Sequence, residues 1–146
     1  MWERAGRMAR PGLTNPTRAF IKKGARFFLN GALMRASDSV TLDIHAVDVL
    51  LMPSHLIEAD EVRTPLQRLY YLVQQMLIEP GRMAEWQEAY RALLVAGVGL
   101  PEHETLRPIL RLVEREKYQS AMALLRKTMR GEEAQRAATE ATSRRV

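Results

Sequence analysis

Apolar positions change their spacing near residue 60 of this chain. Between Thr17 and Met52 they fall in short β-branched or aromatic runs broken by turn formers. Ala19-Phe20-Ile21 followed by Lys22-Lys23-Gly24 predicts a strand and a turn. Phe27 to Leu29 and Ala32 to Met34 flank Asn30-Gly31. That dipeptide tolerates the positive φ angles of a type I′ hairpin, and a Gly-marked bulge in one longer strand fits equally well. Ser37-Asp38 is a further turn candidate, and Ser39 to Ile44 alternates as a half-buried strand does. Val47 to Met52 predicts another strand, stopped by Pro53. The expectation is a small antiparallel β-meander of about three to five strands, which needs a cover for its apolar face.

Beyond residue 60 the period becomes helical. Thr64-Pro65 is a helix start, with Thr as N-cap and Pro where a missing N–H costs nothing. Leu66, Leu69, Tyr70, Val73, Met76 and Leu77 then make one stripe, ended by Pro80-Gly81. Met83, Trp86, Tyr90, Leu93 and Leu94 make a second, stopped by Gly97 and Gly99, with Trp86 expected in the core. Leu106, Ile109, Leu110 and Val113 make a third, in which Pro108 belongs either to the first turn or to a kink. Tyr118, Ala121, Met122, Leu125 and Met129 make a fourth, expected to end at Gly131. The predicted fold class is α+β, with the N-terminal meander packed on a C-terminal bundle of about four helices. Residues 1–16 are expected to be a mobile basic leader and 132–146 a frayed helical extension or flexible tail. The domain between them divides into a β-rich part, 17–58, and a helical part, 64–131. Translation from Met1 and from Met8 are both compatible with the sequence.

The 146 residues are 47% hydrophobic and 27% charged, an ordinary globular composition. The chain has no Cys, which excludes disulfides, thiolate nucleophiles and Cys-ligated metals. Its longest uncharged apolar stretch, Ala92 to Leu100, is far short of the about 20 residues a membrane span needs. No membrane association is expected, and the cytoplasm is the expected location. The net charge of +5 is segregated. Residues 1–35 sum to +7, residues 36–63 to −5 and residues 98–131 to +3. Such asymmetry points to an anionic partner, although solvated basic and acidic faces give the same count.

Catalytic motifs are missing. His45, His55 and His103 match no metal-ligand spacing and read as surface or turn residues. Asp38, Asp43 and Asp48 lack the spacing and Gly pattern of a calcium loop. Phosphate-loop, dinucleotide and nucleophile-elbow sequences are all absent. Neither enzymatic activity nor a cofactor nor a metal is expected. Two basic constellations remain. Arg18, Lys22, Lys23, Arg26 and Arg35 are interleaved with Phe20, Phe27 and Phe28. Cations meet phosphates and ring faces stack on bases, which is the chemistry of single-stranded RNA binding. Strand alternation lets Phe27 or Phe28 point outward but not both, and Phe28 is the ring taken as outward. The competing reading makes the rings core and the lysines a solvated turn. Arg107, Arg111, Arg115 and Lys117, continued by Arg126 and Lys127, make a basic helical ridge or an ordinary solvated face. Arg68 and Tyr71 sit off the buried stripe of the first helix and add a contact for a base or a protein.

Three segments carry a family resemblance. Gly24-Ala25-Arg26-Phe27-Phe28-Leu29-Asn30-Gly31-Ala32 resembles the opening strand segment of the FlbT family of flagellar regulators. Thr64-Pro65-Leu66-Gln67-Arg68-Leu69-Tyr70-Tyr71 is similar to the family's segment at the head of its first helix. The stretch from Glu116 to Lys127 resembles its final helix. The resemblance covers about residues 17–131. It implies a post-transcriptional regulator, acting on the 5′ untranslated region of flagellin mRNA as a repressor, alongside the small protein FlaF, in a flagellated alphaproteobacterium. It implies no RNA-contacting residue, so those named above rest on charge and aromatic placement. The alternative is a helical interaction module for flagellin or a FlaF-like protein. Neither the RNA sequence read nor the oligomeric state follows from the chain.

Overall fold

The computed structural model describes residues 17–145, so the expected leader lies outside the described residues. The chain divides after Leu56 into two compact units. The first is β-structure and the second helical, which establishes the α+β class.

The β unit is built from β1 (Thr17–Ile21), β2 (Arg26–Leu29), β3 (Ala32–Arg35), β4 (Val40–Ile44) and β5 (Leu50–Leu51). Its strands are antiparallel but occupy two small sheets, β1-β4 and β3-β2-β5, rather than one meander. Register explains why. Ile21 faces Val40 in one ladder and Arg26 faces Arg35 in the other, the pairs that one uninterrupted hairpin would give. The chain is thus a single long hairpin, broken in the middle by paired irregularities. On one arm, Ala25 N–H donates to Lys22 O (3.0 Å), and Gly24 takes φ +83°, as a type II turn requires of its third residue. On the other arm, Ser37 and Asp38 bend. Gly24 N–H donates to Ala36 O and Ala36 N–H to Ala25 O, so the arms stay joined across the break. Ile21, Phe27 and Ala36 are buried there, with Met34, Leu42 and Met52 packed against them, so one core serves both ladders.

The hairpin tip resolves the alternatives left open at Asn30-Gly31. Both residues have positive φ, 44° and 91°, and Leu29 pairs with Ala32, a two-residue type I′ turn. Asn30 does a second job. Its Oδ1 accepts from the N–H groups of Asp48 (3.0 Å) and Val49 (2.9 Å), and its own N–H donates to Val49 O. This side-chain capture replaces ladder pairing before Leu50. The strand expected over Val47 to Met52 is therefore only Leu50–Leu51, on the free edge of β2.

The helical unit contains α1 (Pro65–Ile78), α2 (Met83–Ala96), α3 (His103–Glu114) and α4 (Tyr118–Arg145). The Thr64-Pro65 start is as expected. Thr64 Oγ1 accepts from Gln67 N–H (3.1 Å) and Gln67 Oε1 accepts from Thr64 N–H (3.1 Å), a reciprocal capping box. Gln74, fully buried on α1, grips the incoming chain by accepting from Ile57 N–H (2.7 Å) and donating to Ile57 O (2.9 Å). α2 closes on Gly97 in the left-handed region, and Gly99 lies so near α1 that a Cβ there would meet Pro65 Cγ at 2.7 Å.

Two helical expectations need correction, and one open alternative is decided. Trp86 is half-buried rather than core, because α2 buries only Tyr90 fully and leaves the indole at its margin. Of the two alternatives for Pro108, the structure selects the helix interior: it lies inside α3, on the exposed side of the helix. The last helix continues through Gly131 to Arg145. A helical Gly costs about 1 kcal/mol. Here Gly131 is solvent-facing, and the good helix formers Glu132 to Gln135 that follow carry the helix onward.

Candidate nucleic-acid interface

The alternation of β1 sends Ala19 and Ile21 inward and Arg18 and Phe20 outward. Across the ladder Phe20 faces Thr41 and Arg18 faces Asp43, so these four residues form one exposed face. Phe20 is 61% exposed, an unusual position for a ring that burial would stabilise by about 1.5–3 kcal/mol. Arg18 Nε donates to Asp43 Oδ1 at 2.8 Å. A solvent-exposed pair of this kind contributes about 0–1 kcal/mol, so the guanidinium is held in place yet available to a stronger anion. Lys22 and Lys23 follow in the turn with exposed side chains, and Lys23 N–H donates to Ser39 Oγ (3.2 Å). The result is a row of Arg18, Phe20 and Lys22 along one edge of the hairpin. Beyond the turn, Arg26 and exposed Arg35 are direct cross-strand partners.

Phe28, taken from the sequence as the outward ring, is 2% exposed, and Phe27 is buried as well. The reason is topological. β2 is the middle strand of its sheet and both of its faces are covered, so alternation brings neither ring to solvent. Neither ring can stack on a base. Among the described residues the exposed aromatic is Phe20, on the two-stranded part of the hairpin where one face stays open.

The other candidates separate by their surroundings. Arg107, Arg111, Arg115 and Lys117 are all exposed and form no ion pair among the described residues. Arg111 and Arg115 lie at the C-terminal end of α3. Cations there gain about 0.3–1 kcal/mol each from the helix dipole, which explains them without a ligand. Arg126 does not continue the ridge. Its Nη1 donates to Tyr70 Oη at 2.9 Å and ties α4 to α1, while Lys127 stays exposed. Burial pushes the Tyr70 phenol up, and Arg126 beside it pulls part of that shift back. Arg68 is exposed on α1. Tyr71 is committed to a cluster: its ring meets Trp86 edge-on at 6.2 Å, and the Arg82 guanidinium covers Trp86 at 4.5 Å. Arg82 is in turn held by Glu79 (2.9 Å) and Glu85. Tyr71 is half-buried beside this cluster, whereas Phe20 is mostly exposed.

Of the histidines, His55 accepts from Met52 N–H through Nδ1 (3.3 Å), a turn role, and His45 and His103 are exposed. Among the described residues no group of three His, Asp or Glu is placed to hold a metal. No described helix is long and apolar enough to cross a membrane.

The fold and surface together define an α+β protein whose hairpin exposes basic side chains around Phe20. Residues 20–135 match the family described as flagellar protein FlbT, and the chain belongs to that family. Relatives named probable flagellum biosynthesis repressor protein FlbT include that of Mesorhizobium japonicum, 35% identical over 82 residues, 56% of each chain. That of Brucella anthropi is 32% identical over 77 residues, 53% of this chain and 51% of its own. That of Brucella ovis is 36% identical over 81 residues, 56% of this chain and 53% of its own. The chain spans about half the length of these relatives. No solved structure matches it.

Proposed function

We propose that this chain represses flagellum biosynthesis after transcription, by binding the 5′ untranslated region of flagellin mRNA in the cytoplasm. The relatives' names support the repressor role. The observation that carries RNA binding is the exposed Phe20 set between Arg18 and Lys22 on one strand edge. Cations track the phosphates of a single strand and the ring stacks on a base, with Lys23 and Arg35 extending the charged path. The protein does no chemistry on the message. Occupying the leader blocks ribosome loading, and an unloaded message is open to nucleases. Crosslinking in cells followed by sequencing of bound RNA tests this. Enrichment of flagellin leader sequence is expected, and recovery of no RNA above background contradicts it.

A second reading, a helical module for flagellin or a FlaF-like protein, is favoured by one observation. Val95, near the end of α2, is almost fully exposed in a groove that Leu94, Leu100, Leu106 and Leu110 also line, and Val98 in the loop that follows is exposed as well. Under that reading Val95→Asp with Val98→Asp abolishes the protein complex and leaves RNA affinity unchanged.

A further inference from the structure

A cleft of about 550 Å³ opens between α2, α3 and the start of α4, within the range of small-ligand sites. Leu110 and Val113 contribute an aliphatic floor, the rings of Tyr90 and Tyr118 line the walls, and Glu114, Glu116 and Arg91 stand around it. Three observations separate it from an accidental gap. The first is Tyr90, about nine-tenths buried, which lines the cleft and whose hydroxyl keeps solvent contact but has no hydrogen-bond partner among the described residues. The second is the acid pair: neither Glu114 nor Glu116 forms an ion pair among the described residues, although Arg91 lies in the same lining. The third is backbone geometry. Glu116 has φ +59° and occupies the left-handed position after α3. Its N–H donates to Val113 O and that of Lys117 to Leu112 O, the Schellman pattern, in which this position is usually Gly. A carboxylate is kept where stability favours no side chain at all, and strain of that kind gathers at binding sites.

We propose that the cleft binds the ammonium head and aliphatic stem of an alkylamine, between the Glu114 and Glu116 carboxylates and the Tyr90 oxygen. The stem lies on Leu110 and Val113. Tyr90 remains a neutral phenol, because burial, and then the nearby Glu114 charge, push it up to about 12. Its oxygen accepts from the ammonium while its O–H is free to turn toward a carboxylate. Arg91, in the same lining, is the competing cation. The same chemistry comes from a free diamine or from a lysine side chain of a partner protein. Amine binding in this cleft is independent of RNA binding by the hairpin.

Calorimetric titration of the full chain with 1,5-diaminopentane, a one-lysine acetylated peptide and 1-pentanol tests it. At least one amine is expected to bind and the alcohol not to. Tighter binding of the diamine assigns a free amine, and tighter binding of the peptide assigns a partner's lysine. Glu114→Gln with Glu116→Gln should weaken the amine at least tenfold, whereas Arg91→Gln should tighten it. Glu116→Gly separates binding from folding: it should raise the melting temperature while lowering amine affinity. Binding of neither amine, equal binding of the alcohol, or wild-type affinity in the double Gln variant overturns the proposal.

Discussion

Phe28 and Phe20 show how much a single position decides. Both are Phe in strands beside arginines and lysines, and only strand order tells them apart. Phe28→Ala is expected to lower stability by about 3–5 kcal/mol, as truncation of a buried ring does. Denaturant unfolding measures it, and a midpoint unchanged from wild type would place the ring outside the core. Glu116 behaves in the opposite sense. Left-handed geometry costs a non-Gly residue about 1–2 kcal/mol, and Gly returns part of that as unfolded-state entropy. Glu116→Gly is therefore expected to raise stability by about 0.5–1 kcal/mol, read as a rise in melting temperature. Both positions were hard to read from the sequence for the same reason. Alternation says that neighbours in a strand point opposite ways, but whether either face meets solvent depends on the strands alongside. An αL Glu likewise has no composition signal, since Gly is what marks that conformation.

Asn30 works at the scale of the element. The Asn-Gly pair was legible as a turn because local backbone preference suffices for it. Its capture of Asp48 and Val49 was not, because that depends on a segment 18 residues away. The two roles come apart in mutants. Asn30→Gly keeps the positive φ and loses only the side-chain bonds, whereas Asn30→Ala loses both. The expected order of stability is wild type, then Gly, then Ala, with steps of about 1 kcal/mol, measured by chemical denaturation. Equal stability of the Gly variant and wild type would show that the loop before β5 needs no anchor. The helix boundaries at Thr64, Gly97 and Ile78 were legible from caps and breakers, which act over a few residues. The end of α4 was not, since one Gly is too small a penalty to stop a helix among good formers. Residues 132–144 are exposed throughout, so deleting 132–146 is expected to remove helical circular dichroism and leave the melting temperature within about 1 °C. A loss of several degrees would mean that the extension is bound to something in the protein.

At the scale of the whole molecule, class and family were legible because they rest on repeated local signals: the turn-broken β-pattern, the helical stripes and three family-like segments in order. The candidate surface was half legible. Charge segregation located the basic N-terminal region, and Arg18, Lys22, Lys23 and Arg35 are indeed exposed on the hairpin. Which ring accompanies them depends on the hairpin passing from a two-stranded to a three-stranded sheet, and that crossing rests on Gly24 and Ala36, residues that carry no charge or aromatic mark. Binding of a flagellin leader RNA as a function of salt addresses the hairpin most directly, with thermal melts confirming that each variant folds. Lys22→Glu with Lys23→Glu is expected to weaken every RNA by a similar factor and flatten the slope of log affinity against log salt by about 1.4, about 0.7 for each phosphate that a lysine no longer neutralises. Phe20→Ala is expected to cost about 1–3 kcal/mol through lost stacking, with the slope unchanged. Wild-type affinity and slope in both variants would contradict an RNA-binding hairpin.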